Sequence, residues 1–386
     1  MSSSTIPYGR QWIDDDDIAA VVEVLRSDWL TTGPNVAAFE HAFAQTVGAN
    51  EAVAVNSGTA ALHAAMAALG IGPGDEVIVP ALTFAASANC VLYCGGTPVF
   101  VDIDARTLCI DPQQVNRQIT PKTKAMVAVD YAGLLCDYDQ LSALAKTHGL
   151  KIVADACHAL GARHGAGDAH ALADLATYSF HPVKHIATGE GGMVTTAHPE
   201  WATLMRAFRN HGITTDHRQR EATGSWFYEM QMLGFNYRLT DFQCALGMSQ
   251  LKKLHDWVAR RQAIAAQYQQ AFADLSAVEW QLNPGPVERH AYHLFVILLK
   301  LERLDVDRKT IFKELRDAGL GVNVHYVPVY WHPYYRKRLG LSKGLCPQAE
   351  NAYERLLSLP MYPKMTDADV GRTIDTFRQV VLRHTR

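Results

Sequence analysis

The chain has 386 residues, of which 48% are hydrophobic and 19% charged, as in an ordinary globular protein long enough for two or three domains. Its 36 basic and 39 acidic residues give a formal charge of −3, which offers no electrostatic reason to expect nucleic acid or a membrane surface as a partner. No apolar run approaches the ~20 residues that cross a bilayer, and the N-terminus lacks the features of a signal peptide. We therefore expect a cytoplasmic protein.

In the first two-thirds of the chain, strand-like apolar runs alternate with segments of helical periodicity. The apolar residues run with little alternation, as in strands that are buried on both faces of a mostly parallel sheet. The strand candidates, in chain order, are EAVAVN, DEVIVP, TPVFVDI, KAMVAVD, LKIVADA, DLATYSF and GGMVTT.

Helices are predicted before and between these strands. IDDDDIAAVVEVLRSD begins with carboxylates, which suit the positive end of a helix. GTAALHAAMAALG and DQLSALAKTHG have helical spacing and end in glycine, which is typical of a helix C-terminus.

After Gln243 the pattern changes. A long helical stretch, ALGMSQLKKLHDWVARRQAIAAQYQQAFADL, precedes two predicted strands, YHLFVILL and GVNVHYVPV, and a closing helix from about Asp367. We therefore predict an α/β fold with a mostly parallel central sheet flanked by helices in a large domain at residues 1–250. A smaller α+β domain is predicted at residues 251–386, and the N-terminal segment is a candidate to pack on it.

Polar residues follow several of the predicted strands, at the carboxyl ends where open α/β sheets bind ligands. In NSGTAALH, Ser57, Gly58 and Thr59 leave one strand and open a helix. Free backbone N–H groups and two hydroxyls would then form an anion cradle. Simple capping of the helix by Ser57 or Thr59 is the alternative explanation.

Two further strands end near Asp155 and Lys184. A buried carboxylate at Asp155 is costly unless it is paired or hydrogen bonded, and His158 lies on the same side if a helical turn begins there. Lys184 follows Ser179, and partial burial would lower its pKa towards the neutral form that attacks a carbonyl. The alternatives are a helix cap at Asp155 and a solvated loop lysine at Lys184.

Together these groups match the needs of pyridoxal 5′-phosphate (PLP). The phosphate needs N–H donors, the ring nitrogen needs a carboxylate, and the aldehyde needs an amine. The combination predicts that Lys184 holds PLP covalently.

No metal site is predicted. Cys90 and Cys94 lie one helical turn apart among seven scattered cysteines. No second ligand pair follows at the spacing of a zinc finger.

The ordered motifs resemble the DegT/StrS-type sugar aminotransferases, PLP enzymes of fold type I that act on nucleotide-linked keto sugars. The resemblance covers nearly the whole chain, from IPYGRQ to LSLPMYP. The motifs that carry it are NSGTAALH, GDEVIVPALTFAASAN, TPVFVDID, ADACHALGA, YSFHPVKHIATGEGG, GFNYRLTDFQCALG and HYVPV.

The resemblance implies a role for each matching residue. Lys184 would form the Schiff base and carry the proton between C4′ and the substrate carbon. Asp155 would pair with the pyridinium nitrogen, His158 would lie beside the ring hydroxyl, and Phe84 would stack on the ring.

It also implies how the phosphate is held and which assembly is needed. An asparagine that the family donates across a dimer interface matches Asn236, so a homodimer would be the minimum functional unit. The phosphate contacts would come from Gly58, Thr59 and Ser179, with Ser57 and Ala60 alongside.

IPYGRQ, SDWLTTGP, SFH before PVK, and HYVPVYWHPYY resemble most the family branch of pseudaminic acid biosynthesis. This implies transfer of the amino group of L-glutamate, through pyridoxamine 5′-phosphate, to C4 of a UDP-linked 4-keto-6-deoxy-N-acetylhexosamine. The product would be UDP-4-amino-4,6-dideoxy-N-acetyl-β-L-altrosamine. The residues that would contact the sugar nucleotide are Tyr8, Asp28, Trp29, Leu30, Thr31, His181, His325, Tyr326, Val327 and Pro328.

Several alternatives stay open. The sugar could be linked to dTDP or GDP, and Arg238 is only a candidate for holding the glutamate carboxylate. A non-catalytic sensor would keep the PLP or sugar-nucleotide pocket without turnover. The C3-dehydratase branch of the family carries histidine in place of the Schiff-base lysine, and Lys184 argues against it.

Overall fold

The structure is a computed structural model that describes residues 5–165, 167–215, 217–285 and 288–386. Within these ranges, no helix is both long and apolar enough to cross a membrane. The helices α1 to α15 span Asp15–Leu25, Pro34–Val47, Gly58–Ala68, Ala86–Tyr93, Pro112–Gln118, Tyr138–His148, Ala169–Leu172, Pro199–Phe208, His217–Ala222, Asp241–Leu251, Leu254–Phe272, Arg308–Asp317, Pro333–Leu339, Pro347–Arg355 and Asp367–His384. The strands β1 to β12 span Glu51–Val55, Glu76–Pro80, Thr97–Val101, Thr123–Val129, Lys151–Asp155, Arg163–His164, Leu175–Ser179, Gly192–Thr196, Val278–Trp280, Glu288–Arg289, Phe295–Leu299 and Leu356–Leu359.

A seven-stranded sheet forms the centre of the fold, in the order β1, β8, β7, β5, β4, β2, β3. All its strands run parallel except β8, which is antiparallel to both β1 and β7. Its strands are almost wholly buried because helices cover the sheet, which explains the unbroken apolar runs. All seven strands predicted for this sheet are present, and the predicted α/β architecture is confirmed.

The direction of the strands brings the predicted site residues together. Because β1, β5 and β7 are parallel, their carboxyl ends meet at one edge of the sheet. Ser57 follows β1, Asp155 ends β5 and Ser179 ends β7. Lys184 lies in the loop between β7 and β8.

The C-terminal part contains a smaller antiparallel sheet in the order β12, β11, β9. It encloses a second apolar cluster with residues of α11, α12 and α15, among them Phe272, Ile311 and Phe377. Ile6 belongs to the same cluster, and its N–H donates to the carbonyl of Gly319 at 2.9 Å. The N-terminal segment therefore packs on this C-terminal part, while the division at residue 250 stays a prediction.

Two details of the predicted elements are wrong. The long helical stretch after Gln243 is two helices, because the chain turns at Lys253, whose Nζ bonds to Asp17 Oδ1 at 2.9 Å. The predicted strand GVNVHYVPV is irregular, and Asn323 forms an isolated bridge with Ser358. After Asn323 the segment leaves the small sheet. The Tyr326 hydroxyl lies 3.1 Å from Nε2 of His158, which follows strand β5 of the large sheet.

Candidate active site

A cavity of about 530 Å³ opens at the carboxyl edge of the large sheet. It brings together residues from the N-terminal segment, from the ends of several strands and from the segment after α12. The predicted site residues that line it are Tyr8, Ser57, Gly58, Thr59, Phe84, Asp155, His158, Ser179, His181, Lys184, His325 and Tyr326.

The start of α3 forms one wall of the cavity. Ser57 is the N-cap, and its Oγ accepts a hydrogen bond from the N–H of Ala60 at 3.0 Å. The capping interpretation is therefore correct for Ser57, and the Ala60 N–H is already occupied. No described residue accepts a hydrogen bond from the N–H of Gly58 or Thr59, so two donors at the positive end of the helix remain for an anion.

Close packing explains the glycine at position 58. A Cβ atom added there would lie 2.9 Å from the Cβ of Ser179, which is too short for two carbon atoms. Gly58 thus lets the start of α3 approach the end of β7. This approach brings the two free N–H groups and the Ser179 hydroxyl to the same wall.

Asp155 lies buried at the inner end of the cavity and accepts hydrogen bonds on both oxygens. Ser87 Oγ donates to Oδ2 at 2.6 Å, and the N–H of Cys157 donates to Oδ1 at 3.3 Å. Thr83 Oγ1 lies 2.7 Å from Ser87 Oγ and continues the network. Both donors are neutral, so no cationic side chain of the described residues is bonded to this carboxylate.

The sequence reasoning missed Ser87 and Thr83. They are four residues apart in ALTFAASAN, a spacing that places two side chains close together on a helical turn. This spacing in the sequence indicates only that the two side chains are neighbours. It does not indicate that they bond to a carboxylate from another strand.

Lys184 reaches the cavity from the loop after β7. Burial lowers the pKa of its ammonium below the usual value, although the nearby Cys157 and Asp155 side chains raise it in part. Its Nζ lies 3.5 Å from Nε2 of His293, another residue that the sequence reasoning missed. The only signal was a histidine within the apolar run YHLFVILL.

Aromatic and histidine side chains form the opposite wall. The N–H of Ala132 donates to His158 Nδ1 at 3.3 Å, so the ring proton belongs on Nε2, which lies 3.1 Å from the Tyr326 hydroxyl. Burial, helped by the charge of Lys184, lowers the pKa of His158 well below its usual value. The Phe84 ring lies 5.8 Å from that of Tyr326 and is 58% exposed, so it remains available for contact with a ligand.

The other predicted contacts do not line this cavity. Asn236 forms a bridge with Asn210, and the Trp29 ring lies 5.8 Å from the Arg218 guanidinium. Their predicted roles stay predictions. The eight residues outside the cavity lining are Asp28, Trp29, Leu30, Thr31, Ala60, Asn236, Val327 and Pro328.

Arg238 contributes to a different cavity of about 400 Å³, together with Arg206 and Arg209. Its Nη1 donates to Asn210 Oδ1 at 2.8 Å.

The donor set fits PLP. Two free N–H groups, a carboxylate without a bonded cation and an amine of lowered pKa line one cavity. They match the phosphate, the ring nitrogen and the aldehyde in turn. Across the described parts of the chain, no three His, Cys, Asp or Glu residues are grouped so as to hold a metal ion.

Comparison with known proteins agrees with this chemistry. The model of the DegT/DnrJ/EryC1/StrS aminotransferase family matches residues 11–378. The spore coat polysaccharide biosynthesis protein SpsC of Bacillus subtilis is 43% identical over 380 residues, which cover 97% of each chain.

Two solved structures share the whole fold. One is a putative sugar aminotransferase of Streptococcus pneumoniae in its PMP form, with a TM-score of 0.91, 32% identity and coverage of 98% of this chain and 99% of that chain. The other is Helicobacter pylori PseC, an aminotransferase involved in the biosynthesis of pseudoaminic acid, with a TM-score of 0.91, 30% identity and coverage of 98% and 100%. The two structures have the same TM-score against this chain and nearly the same identity. The comparisons therefore do not support the expectation that the chain is most similar to the pseudaminic acid branch.

Proposed function

Because the chain belongs to the DegT/DnrJ/EryC1/StrS aminotransferase family, we propose a specific reaction for this PLP-dependent sugar aminotransferase. It transfers the amino group of L-glutamate to C4 of a UDP-linked 4-keto-6-deoxy-N-acetylhexosamine. The product is UDP-4-amino-4,6-dideoxy-N-acetyl-β-L-altrosamine, as in pseudaminic acid biosynthesis. This choice of sugar comes from the motifs IPYGRQ, SDWLTTGP and HYVPVYWHPYY, and the full-length likeness to PseC is compatible with it.

One observation carries the aminotransferase chemistry. Lys184, Asp155 and the free N–H groups of Gly58 and Thr59 line the same cavity. When bound, PLP supplies an aldehyde that links to amines and a ring that withdraws electrons. In our proposal the two N–H groups and the Ser179 hydroxyl hold its phosphate, and Asp155 pairs with its ring nitrogen.

Lys184 is the proposed acid and base of both half-reactions. Its ε-nitrogen takes a proton from Cα of glutamate and, in the second half-reaction, delivers one to C4 of the sugar. Proton transfer of this kind needs a group whose pKa lies near the working pH. Burial moves the pKa of Lys184 in that direction.

The aromatic wall is the proposed contact surface for the sugar. Burial, helped by the charge of Lys184, lowers the pKa of His325 to about 4, so this ring is neutral at pH 7. Its Nδ1 lies 2.8 Å from Ser358 Oγ and its Nε2 lies 3.3 Å from Asn323 Nδ2, and these contacts hold the ring in the wall. The rings of Tyr8 and Tyr326 lie 5.4 Å and 4.9 Å from that of His325. Phe84 offers an open apolar face next to these polar groups.

A homodimer is part of the proposal. Asn236 lies outside the cavity of its own chain, as expected for a residue that serves the partner's site. The segment before it exposes large apolar side chains, including Trp226 and Leu233. A second copy of the chain would cover them.

The attachment of the cofactor is tested by borohydride reduction of the loaded protein and peptide mass mapping. We expect the label on the peptide that contains Lys184. A label on another peptide, or none on fully loaded protein, contradicts the proposed chemistry.

The sugar is tested with a panel of UDP-, dTDP- and GDP-linked 4-keto sugars in the presence of L-glutamate. We expect the UDP sugar to be the best acceptor. Equal or greater turnover with a dTDP or GDP sugar overturns the choice of nucleotide and leaves aminotransfer intact. A visible absorbance that does not change when L-glutamate is added indicates a non-catalytic sensor instead.

A further inference from the structure

His293 lies beside Lys184 on the inner wall of the cavity, just before β11. Its Nε2 is 3.5 Å from the lysine Nζ, and the ring is buried. This separation is long for a hydrogen bond.

The other ring nitrogen of His293 indicates where the proton lies. Nδ1 is buried and has no hydrogen-bond partner among the residues that the structure describes. A neutral imidazole carries its proton on one nitrogen only, and a buried N–H without an acceptor is unfavourable. The proton is therefore better placed on Nε2, where it faces Lys184.

The surroundings keep the imidazole neutral. The rings of His158 and His185 lie 4.3 Å and 5.8 Å from that of His293. Burial lowers the pKa of His293 well below its usual value, and the positive charges of Lys184 and Arg261 act in the same direction. His293 thus acts on the lysine through a hydrogen bond and not through a charge.

The backbone of His293 is also held in place. Nη1 of the buried Arg261 donates to the carbonyls of Tyr292, His293 and Met361 at 3.1, 3.2 and 3.0 Å. These bonds tie the segment before β11 to helix α11. The backbone that carries the imidazole therefore has a fixed position beside the lysine.

We propose that His293 is a positioning residue: its neutral imidazole donates Nε2–H to the lone pair of the Lys184 ε-nitrogen whenever that nitrogen is not bonded to the cofactor. An ammonium has no lone pair, so this bond selects the free base. It also keeps the amine inside the cavity between proton transfers. The inference rests on the proposed role of Lys184 as the proton carrier.

The test measures the pKa of Lys184 without turnover. The full chain, stripped of cofactor, is acetylated with acetic anhydride over a series of pH values, and the Lys184 peptide is quantified by mass spectrometry. In His293→Gln the side chain can also accept a bond from the ammonium. We therefore expect the labelling midpoint to rise by about one pH unit.

His290→Gln is the matched control. His290 is buried in the same segment, but its Nε2 bonds to Gln281 Oε1 at 3.1 Å. We expect its labelling midpoint to equal that of the unsubstituted protein. An unchanged or lower midpoint in His293→Gln, or an equal rise in both variants, overturns the inference.

A second control separates this inference from the proposed function. Reloading with PLP should protect Lys184 from acetylation in the unsubstituted protein and in both variants. Loss of protection in the unsubstituted protein contradicts the attachment of PLP to Lys184, whatever the midpoints are.

A measurement on the unsubstituted protein avoids any effect of substitution on folding. Nitrogen-15 NMR of histidine-labelled protein distinguishes the two neutral tautomers. We expect His293 to carry its proton on Nε2. A proton on Nδ1 overturns the inference.

Discussion

The cofactor cavity and the exposed apolar segment at residues 226–235 differ in how many of their contacts come from the same chain. In the cavity, Asp155 and Lys184 each have partners from distant parts of the same chain. In the exposed apolar segment, Trp226 and Leu233 are 85% and 78% exposed. Patches of this kind usually mark an interaction site. The contrast indicates that a single chain places Asp155 and Lys184, whereas the proposed shared site needs a second copy.

The largest effect should come from the cavity alone. Lys184→Ala removes the only proposed proton carrier, so we expect turnover to fall by about a thousandfold or more. Self-association should not change, because Lys184 lines the cofactor cavity and no residue of the exposed apolar segment lines that cavity. Single-turnover kinetics and sedimentation velocity measure the two properties.

Lys146→Ala, on the exposed surface of α6, is the control for Lys184→Ala. It removes the same charge and should leave both turnover and association unchanged. Full turnover by Lys184→Ala would exclude the role proposed for this lysine.

An intermediate effect should come from the exposed apolar segment. Leu233→Asp places a charge where the proposed interface excludes water. We therefore expect the dissociation constant of the dimer to rise at least about tenfold. Activity should fall on dilution and recover at high protein concentration. Sedimentation equilibrium and assays over a dilution series measure this.

Leu382→Asp is the matched control, because Leu382 is also more than half exposed but lies on α15. If both aspartate variants weaken association, or if neither does, the exposed apolar segment is not the specific dimer interface.

The smallest effect should come from the support of Asp155. Ser87→Ala removes the 2.6 Å hydrogen bond to Oδ2, and a bond to a charged group contributes about 1.5–3 kcal/mol. We expect kcat/KM to fall about tenfold, at the lower end of that range because the Cys157 N–H still donates to Asp155, with no change in association. Steady-state kinetics measure the fall, with Ser142→Ala on the exposed face of α6 as the control. An unchanged kcat/KM means that Ser87 does not support the carboxylate during catalysis.

The central sheet could be predicted because strands that are buried on both faces have an unambiguous pattern. The C-terminal part was harder to predict. The chain turns at Lys253, whose Nζ bonds to Asp14, the N-cap of α1, and to Asp17 within α1. Local periodicity does not contain these contacts. In GVNVHYVPV, apolar and β-branched residues favour a strand, but the hydroxyl of Tyr131 bonds to the carbonyl of His325, and Ser358 Oγ lies 2.8 Å from its Nδ1. Tertiary contacts therefore override the local preference.

The same distinction holds for the candidate site. The positions of Ser57, Asp155 and Lys184 follow from the rule that ligands lie at the carboxyl ends of parallel strands. Their supporting residues do not. Ser87 is 68 residues from Asp155, and His293 is 109 residues from Lys184. Only the folded chain brings these pairs together.

Strand β8 has a consequence for how the protein is made. It lies between β1 and β7, and a Cβ added at Gly192 would come within 2.4 Å of the Ser57 carbonyl oxygen. During translation β1 leaves the ribosome early, but its neighbour β8 emerges only after every other strand of the large sheet. Such long-range pairing is slow and leaves strand edges open while it is incomplete. A nascent chain that stops short of β8 therefore lacks the strand that packs against the turn at Ser57. We expect such a chain not to retain PLP.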